Sequence, residues 1–166
     1  MDSTGYPSFY QAYIEKIPNG ELIDLFSFSL SESLKSLVMI SEEKGNYAYE
    51  EGKWSIKTVL QHLIDVERIL SYRALAIARG ENNNIPGFDH DSYALESKGD
   101  HRTVKSLLEE LKRLRASTID LFSSMDQVML SRVGKANGYD FRPEQLGYVI
   151  IGHEMHHVSV LEERYL

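Results

Sequence analysis

The 166-residue chain carries 42% hydrophobic and 26% charged residues, the balance of one ordinary globular domain with a real core. Its formal charge of −7 counts against nucleic acid as the main partner, because phosphate binding draws on clustered Lys and Arg. The absence of cysteine excludes disulfides, thiolate metal ligands and a protein-borne thiol nucleophile.

No apolar run approaches the roughly 18–20 residues that a membrane span needs, and no basic segment followed by an apolar core opens the chain. A cytoplasmic protein without membrane partners is therefore expected. Residues through Pro7 read as a poorly ordered start. Ser8 to Ile17 suit a short helix that ends before the turn signal Pro18-Asn19-Gly20. From Glu21 to about Glu43 the positions Leu22, Leu25, Phe26, Ser29, Leu30, Ser33, Leu37 and Ile40 recur at three and four, a helical period stopped by Gly45-Asn46.

A second long helix opens at Trp54-Ser55, with Ser55 as its N-cap, and turns Ile56, Val59, Leu60, Leu63, Val66, Ile69 and Leu70 inward to about Arg79. His62 belongs to that apolar stripe, with Asp65 one turn later. Gly80 to Gly99 is the longest irregular stretch, with turn chemistry at Asn82-Asn83-Asn84 and Pro86-Gly87 and one or two helical turns within Asp89 to Glu96. Connectors of this length tend to serve as lids or pocket walls, so this loop is expected to set pocket specificity. His90 and His101 read as solvent-facing.

The third long helix spans about Arg102 to Ser124, with Val104, Leu107, Leu108, Leu111, Leu114, Ile119, Leu121 and Phe122 apolar. Its basic run Lys112-Arg113-Leu114-Arg115 follows Glu109 and Glu110 and reads as a salt-bridged solvated face. Asn137-Gly138 signals a hairpin turn with a short strand pair. Pro143 then suits the first turn of a fourth helix reaching about Arg164, whose inward stripe would be Leu146, Ile150, His153, His157 and Val160. Four amphipathic helices without an internal repeat or linker imply one domain over residues 1–166, an all-α four-helix bundle.

The segment Gly152-His153-Glu154-Met155-His156-His157 holds three of the six histidines. On a helix, His153 and His157 lie one turn apart on one face, and two such imidazoles supply two nitrogens to one divalent ion. His156 is rotated by about 100° and does not join them. Such a pair also arises as a polar patch on a solvated face. The letters spell the zincin pattern His-Glu-x-x-His, in which Glu154 would be a general base, but no strand pattern supports that fold. Two histidines on a core face are costly unless hydrogen-bonded or bound to something, and His62 on a second helix is the residue that would complete a three-nitrogen site.

Lys53-Trp54-Ser55-Ile56-Lys57 leading into His62-Leu63-Ile64-Asp65-Val66-Glu67, the loop Ile85-Pro86-Gly87-Phe88-Asp89, Leu111 to Arg115, and Gly152 to His157 together resemble the DinB-like superfamily. The resemblance is to its branch of thiol-dependent S-transferases similar to bacillithiol transferase, and it covers nearly the whole chain. It implies an antiparallel bundle with an up-down-down-up course, a homodimer, and one divalent metal, zinc or nickel, held by His62, His153 and His157. Three ligands leave an open position, where the cation would lower the pKa of a bound thiol or water. The expected function is transfer of a low-molecular-weight thiol to an electrophile in detoxification. The alternatives are a metal-dependent hydrolase of amide-type substrates and a non-catalytic dimeric bundle with a vestigial metal. Two carboxylates are catalytic candidates: Glu154, by the zincin pattern, for proton transfer, and Asp65, which would instead orient a ligand histidine.

Overall fold

The computed structural model of the protein describes residues 3–166. Of the start expected to be poorly ordered, residues 1–2 lie outside the described residues, and Ser3 to Pro7 are tied down. The Tyr6 amide donates to the Ser3 carbonyl, and the Gly5 carbonyl accepts from Gln145 Nε2 at 2.9 Å. Helix α1 (Ser8–Ile14) follows Pro7 directly.

Helix α2 (Leu22–Leu37) is about two turns shorter than its periodicity suggests. Beyond Leu37 the chain bends so that Ile40 stays buried and Glu42 reaches another helix, where its carboxylate accepts the Val104 and Lys105 amides at 3.0 and 3.2 Å. A 3-10 turn at Lys44–Asn46 completes the bend. Helix α3 (Ile56–Ala78) starts at Ser55, whose hydroxyl accepts the Thr58 amide at 3.0 Å, as expected of an N-cap. It ends at Gly80, whose φ of 92° only glycine adopts freely. The long connector contains α4 (His90–Ser97), capped by Asp89, and a 3-10 turn at Gly99–His101.

Helix α5 (Val104–Ser123) is capped by Thr103. The next connector holds the short α6 (Gln127–Ser131), which periodicity does not announce, and the strands β1 (Gly134–Ala136) and β2 (Tyr139–Phe141). The strands pair antiparallel around Asn137-Gly138, both with positive φ (53° and 81°), as a two-residue hairpin turn requires. Helix α7 (Pro143–Arg164) begins with proline, where the missing amide costs nothing.

Helices α2, α3, α5 and α7 form the bundle, and the side chains that meet fix its course. Leu22 packs on Gly147 and Ser29 bonds Glu154, so α2 and α7 run parallel. Gln61 meets Arg102, Glu67 meets Arg115 and Ser71 meets Thr118, so α3 and α5 also run parallel. Phe26 on Phe122 and Glu42 on Val104 make α2 and α5 antiparallel, and His62 on His153 with Trp54 on Tyr165 does the same for α3 and α7. The course is up-down-down-up, with α2 diagonal to α3 and α5 diagonal to α7.

The apolar core falls into two halves. One contains Phe26, Leu70, Ile77, Phe122, Leu146 and Ile150, the other Leu37, Ile56, Leu60, Leu107, Leu111 and Leu161. Between them every long helix presents polar side chains at the same level: Ser29 and Ser33 on α2, His62 and Glu67 on α3, Arg115 and Thr118 on α5, His153 and Glu154 on α7, all buried. A buried polar layer is tolerable only where its members satisfy one another. Its two sides do this differently.

Candidate metal centre

On the side facing α1, the layer is histidine. His62 projects from α3 toward His153 and His157, which occupy successive turns of α7. The Nε2 atoms of His62 and His153 are 3.0 Å apart, and ring centroids are separated by 4.9 Å for His62 with either partner and 4.5 Å between His153 and His157. One nitrogen from each ring falls within 4.8 Å of the other two, and no carboxylate joins the set among the described residues. Burial pushes the His62 imidazolium down to about 4 and His157 down to about 3, and it lowers His153 well below the usual histidine range, with the neighbouring histidines adding to the effect. All three rings are therefore neutral near pH 7, with lone pairs available. Nitrogens held tetrahedrally at about 2.0–2.1 Å from an ion lie roughly 3.3 Å apart, so the triad fits a divalent cation with only small adjustment.

The three rings open onto a cavity of about 490 Å³, of the size that takes a small organic molecule. Trp54 covers His62 at 4.8 Å between centroids, and Tyr13 of α1 meets the edge of His153 at 5.8 Å. Helix α1 lies against α7 because Gly152 has no side chain: a Cβ there would stand 2.6 Å from the Tyr13 carbonyl oxygen. Phe9 and Tyr10 of α1, Phe88 and His90 of the long connector, and Arg73 of α3 complete the walls. The connector thus supplies pocket surface, as its length suggests, while the contribution of α1 is unannounced except by the aromatic spacing Phe9, Tyr10, Tyr13.

The remaining histidines stand apart from the triad. His156 is rotated off and stacks on Tyr13 at 4.8 Å. His90 is mostly exposed yet reaches the cavity rim, 6.4 Å from His62 between centroids. His101 is exposed in its 3-10 turn.

Neither carboxylate candidate is brought to the triad. Glu154 turns into the bundle, where its Oε2 lies 2.8 Å from Arg115 and accepts from Ser29 Oγ at 2.8 Å. Asp65 is half-buried on another face of α3 and accepts from Gln61 Nε2 at 2.9 Å.

The other side of the polar layer is ionic. Arg115 is fully buried and donates to both oxygens of Glu67 at 2.9 Å and to the Phe26 carbonyl at 3.0 Å. Thr118 also donates to Glu67, at 2.7 Å. Burial alone would lower the Arg115 pKa, but the charges of Glu154 and Glu67 raise it overall, so the guanidinium stays charged. This corrects the reading of the basic run as a solvated face. Lys112 does pair with Glu109 at the surface, whereas Arg115 is a core residue. The signal was its place four residues after Leu111, on the buried stripe.

A profile of the DinB superfamily matches residues 25–161, most of the chain and all of the bundle apart from its first and last turns. The chain belongs to the DinB superfamily. It is 22% identical, over 82% of this chain and 78% of the other, to a protein of Oceanobacillus iheyensis named as a candidate metal-dependent hydrolase. Its fold is similar to that of YfiT from Bacillus subtilis, with a TM-score of 0.76 at 15% identity over 86% of this chain and 82% of that one. YfiT is described in the same terms, with an unusual four-helix-bundle topology. In this chain the parallel pairs α2–α7 and α3–α5 stand in place of the antiparallel hairpins of an ordinary up-down-up-down bundle. No helix among the described residues is long and apolar enough to cross a membrane.

Proposed function

We propose that this DinB protein is a metal-dependent enzyme in which His62, His153 and His157 hold one divalent ion, zinc or nickel by the nitrogen donor set. The observation that carries the reading is the convergence of three neutral imidazoles, two buried and that of His157 half-buried, on the floor of an open cavity. A cation bound there would supply Lewis acidity that keeps a thiol or a water deprotonated near neutral pH. His62 and the α7 pair would hold it from two antiparallel helices, and Trp54 and Tyr13 cover the rings.

Between the two chemistries, thiol transfer is favoured because no carboxylate among the described residues joins the triad. A thiol ionises readily and needs no protein base, so its proton passes to solvent. Its sulfur then forms a bond to an electrophilic carbon, and the leaving group departs with the electron pair of the bond that breaks. The substrates proposed are a low-molecular-weight thiol and an electrophile. Metal-dependent hydrolysis is the second reading, supported by the names of the two similar proteins. It needs a group that moves a proton to the leaving atom, and His90 on the cavity rim is placed for that role.

The deciding experiment loads the protein with zinc or nickel and follows consumption of 1-chloro-2,4-dinitrobenzene with a panel of small thiols, beside hydrolysis of activated amides without thiol. Thiol-dependent turnover that disappears in His62→Ala supports transfer. Amide hydrolysis with no response to thiol overturns it in favour of the second reading.

A further inference from the structure

Along α3, the residues that line the cavity fall at His62, Val66, Leu70 and Arg73, a single stripe at spacings of four, four and three. The stripe starts at the triad and ends at a guanidinium. Arg73 is only 3% exposed. It donates to the Pro86 carbonyl at 2.9 Å, engages the Tyr10 hydroxyl and lies over the Phe88 ring at 5.6 Å. Its Nε–H has no hydrogen-bond partner. Among the described residues no acidic side chain forms an ion pair with it.

This is an unusual state for a buried charge. Taking a guanidinium out of water is expensive and is normally offset by a carboxylate. The chain provides such an offset for Arg115 one layer away, with two glutamates. At Arg73, a lining residue of the cavity, it provides a carbonyl, a phenol and a ring face, and leaves the buried Nε–H unpaired. Arginine remains protonated even under such desolvation, so the charge persists and its counterion must come from outside.

We propose that Arg73 is the anion-recognition residue of this cavity, and that the substrate is an elongated molecule with a carboxylate remote from its reacting group. The inference deepens the reading of the triad as a metal centre and rests on it for the position of the reacting end. Eleven residues separate His62 from Arg73, about 16 Å of helix axis. The side chain of Arg73 leans back toward the helix N-terminus, so the distance that the ligand spans is shorter. Between the two polar ends, Val66, Leu70, Tyr10, Tyr13 and Phe88 form an apolar and aromatic sleeve, which calls for a hydrophobic or aromatic body.

Trp54 is the only tryptophan and lines the same cavity, so its fluorescence reports occupancy. The test titrates metal-free protein with 4-phenylbutyrate, its neutral amide 4-phenylbutyramide and the cationic 4-phenylbutylamine, with removal of metal preventing a direct carboxylate–metal contact. The expected order is acid, amide, amine, with the acid about tenfold or more tighter than the amide, as a charge-assisted bond in a buried site gives. In Arg73→Met, checked for folding by circular dichroism, the preference for acid over amide disappears. Equal binding of acid and amide, binding of none of the three, or a preference that survives in Arg73→Met overturns the proposal. If Arg73→Met does not fold, the order of the three ligands on the wild type decides, and any other order overturns it. Metal content is measured separately. A chain that binds no metal yet keeps the Arg73-dependent preference refutes the triad reading and leaves this one standing.

Discussion

His153 and Glu154 are adjacent in the chain and serve opposite sides of the same polar layer: the His153 Nε2 lies 3.0 Å from His62, and the Glu154 Oε2 lies 2.8 Å from Arg115. A step of about 100° on the helix is enough to separate them. The His-Glu-x-x-His letters therefore describe two histidines of the triad and a structural carboxylate that faces away from them.

Glu154→Gln is accordingly expected to keep one metal per chain and to change stability by about 1 kcal/mol or less, because Glu67 still balances Arg115. His153→Ala is expected to lose the metal. Elemental analysis of both variants checks this, and loss of metal in Glu154→Gln would show that the carboxylate belongs to the site after all.

Removing the cation has a different consequence. Arg115→Met leaves Glu67 and Glu154 buried without their partner and is expected to lose about 3–5 kcal/mol in denaturant unfolding. Replacing all three by apolar residues of similar volume should recover most of that loss, since the penalty comes from orphaned charge. A triple variant no more stable than Arg115→Met would place the cost in packing instead.

The metal-free protein should weaken in acid through a defined window. An unfolded histidine takes up a proton near pH 6.5, whereas folded His62 does so only near 4 and His157 near 3. Between those values the unfolded state binds more protons, so stability is fully present above about pH 6.5 and falls as the pH drops toward 4 and below. Thermal unfolding at steps from pH 7.5 to 4 checks the sign. A Tm that rises on acidification would contradict it.

Gly152→Ala is expected to push α1 off α7, because the new methyl would meet the Tyr13 backbone and not a flexible side chain. A loss of about 1–3 kcal/mol is expected, with a red shift of Trp54 emission as water enters the cavity. An unchanged spectrum would mean that α1 accommodates the methyl without moving.

The long helices are legible because their apolar residues recur at three and four, and their ends because Ser55, Pro143 and Asn137-Gly138 are local devices that act through their own backbone. The triad is legible for a related reason: His153 and His157 share a face at any helix setting, and His62 interrupts an apolar stripe. Which way Glu154 and Asp65 point is not a local property. It depends on which helix covers which face, and the parallel pairing of α2 with α7 brings Ser29 and Arg115 to Glu154. Arg115 was hidden by its neighbours, since Lys112 is half-buried, Arg113 is exposed, and only the three-and-four spacing through Leu108 and Leu111 marks Arg115 as inward. Arg73 carries the same spacing signal through Val66 and Leu70, but its partners come from α1 and the long connector, which spacing along α3 does not reveal.

The diagonal placement of successive helices has a kinetic side. Neither α2 with α3 nor α5 with α7 forms a close-packed hairpin, and α3 meets α5 only after the chain has returned along the bundle through the long connector. No early helix pair can therefore collapse on its nearest neighbour in sequence, and each major interface closes a long loop before it gains anything. A nascent chain ending near Gly80 would hold two amphipathic helices with apolar faces and no mutual partner. Its folding has to wait for α5 and α7, so the histidines of the triad, divided between α3 and the last helix, come together only at the final stage of assembly.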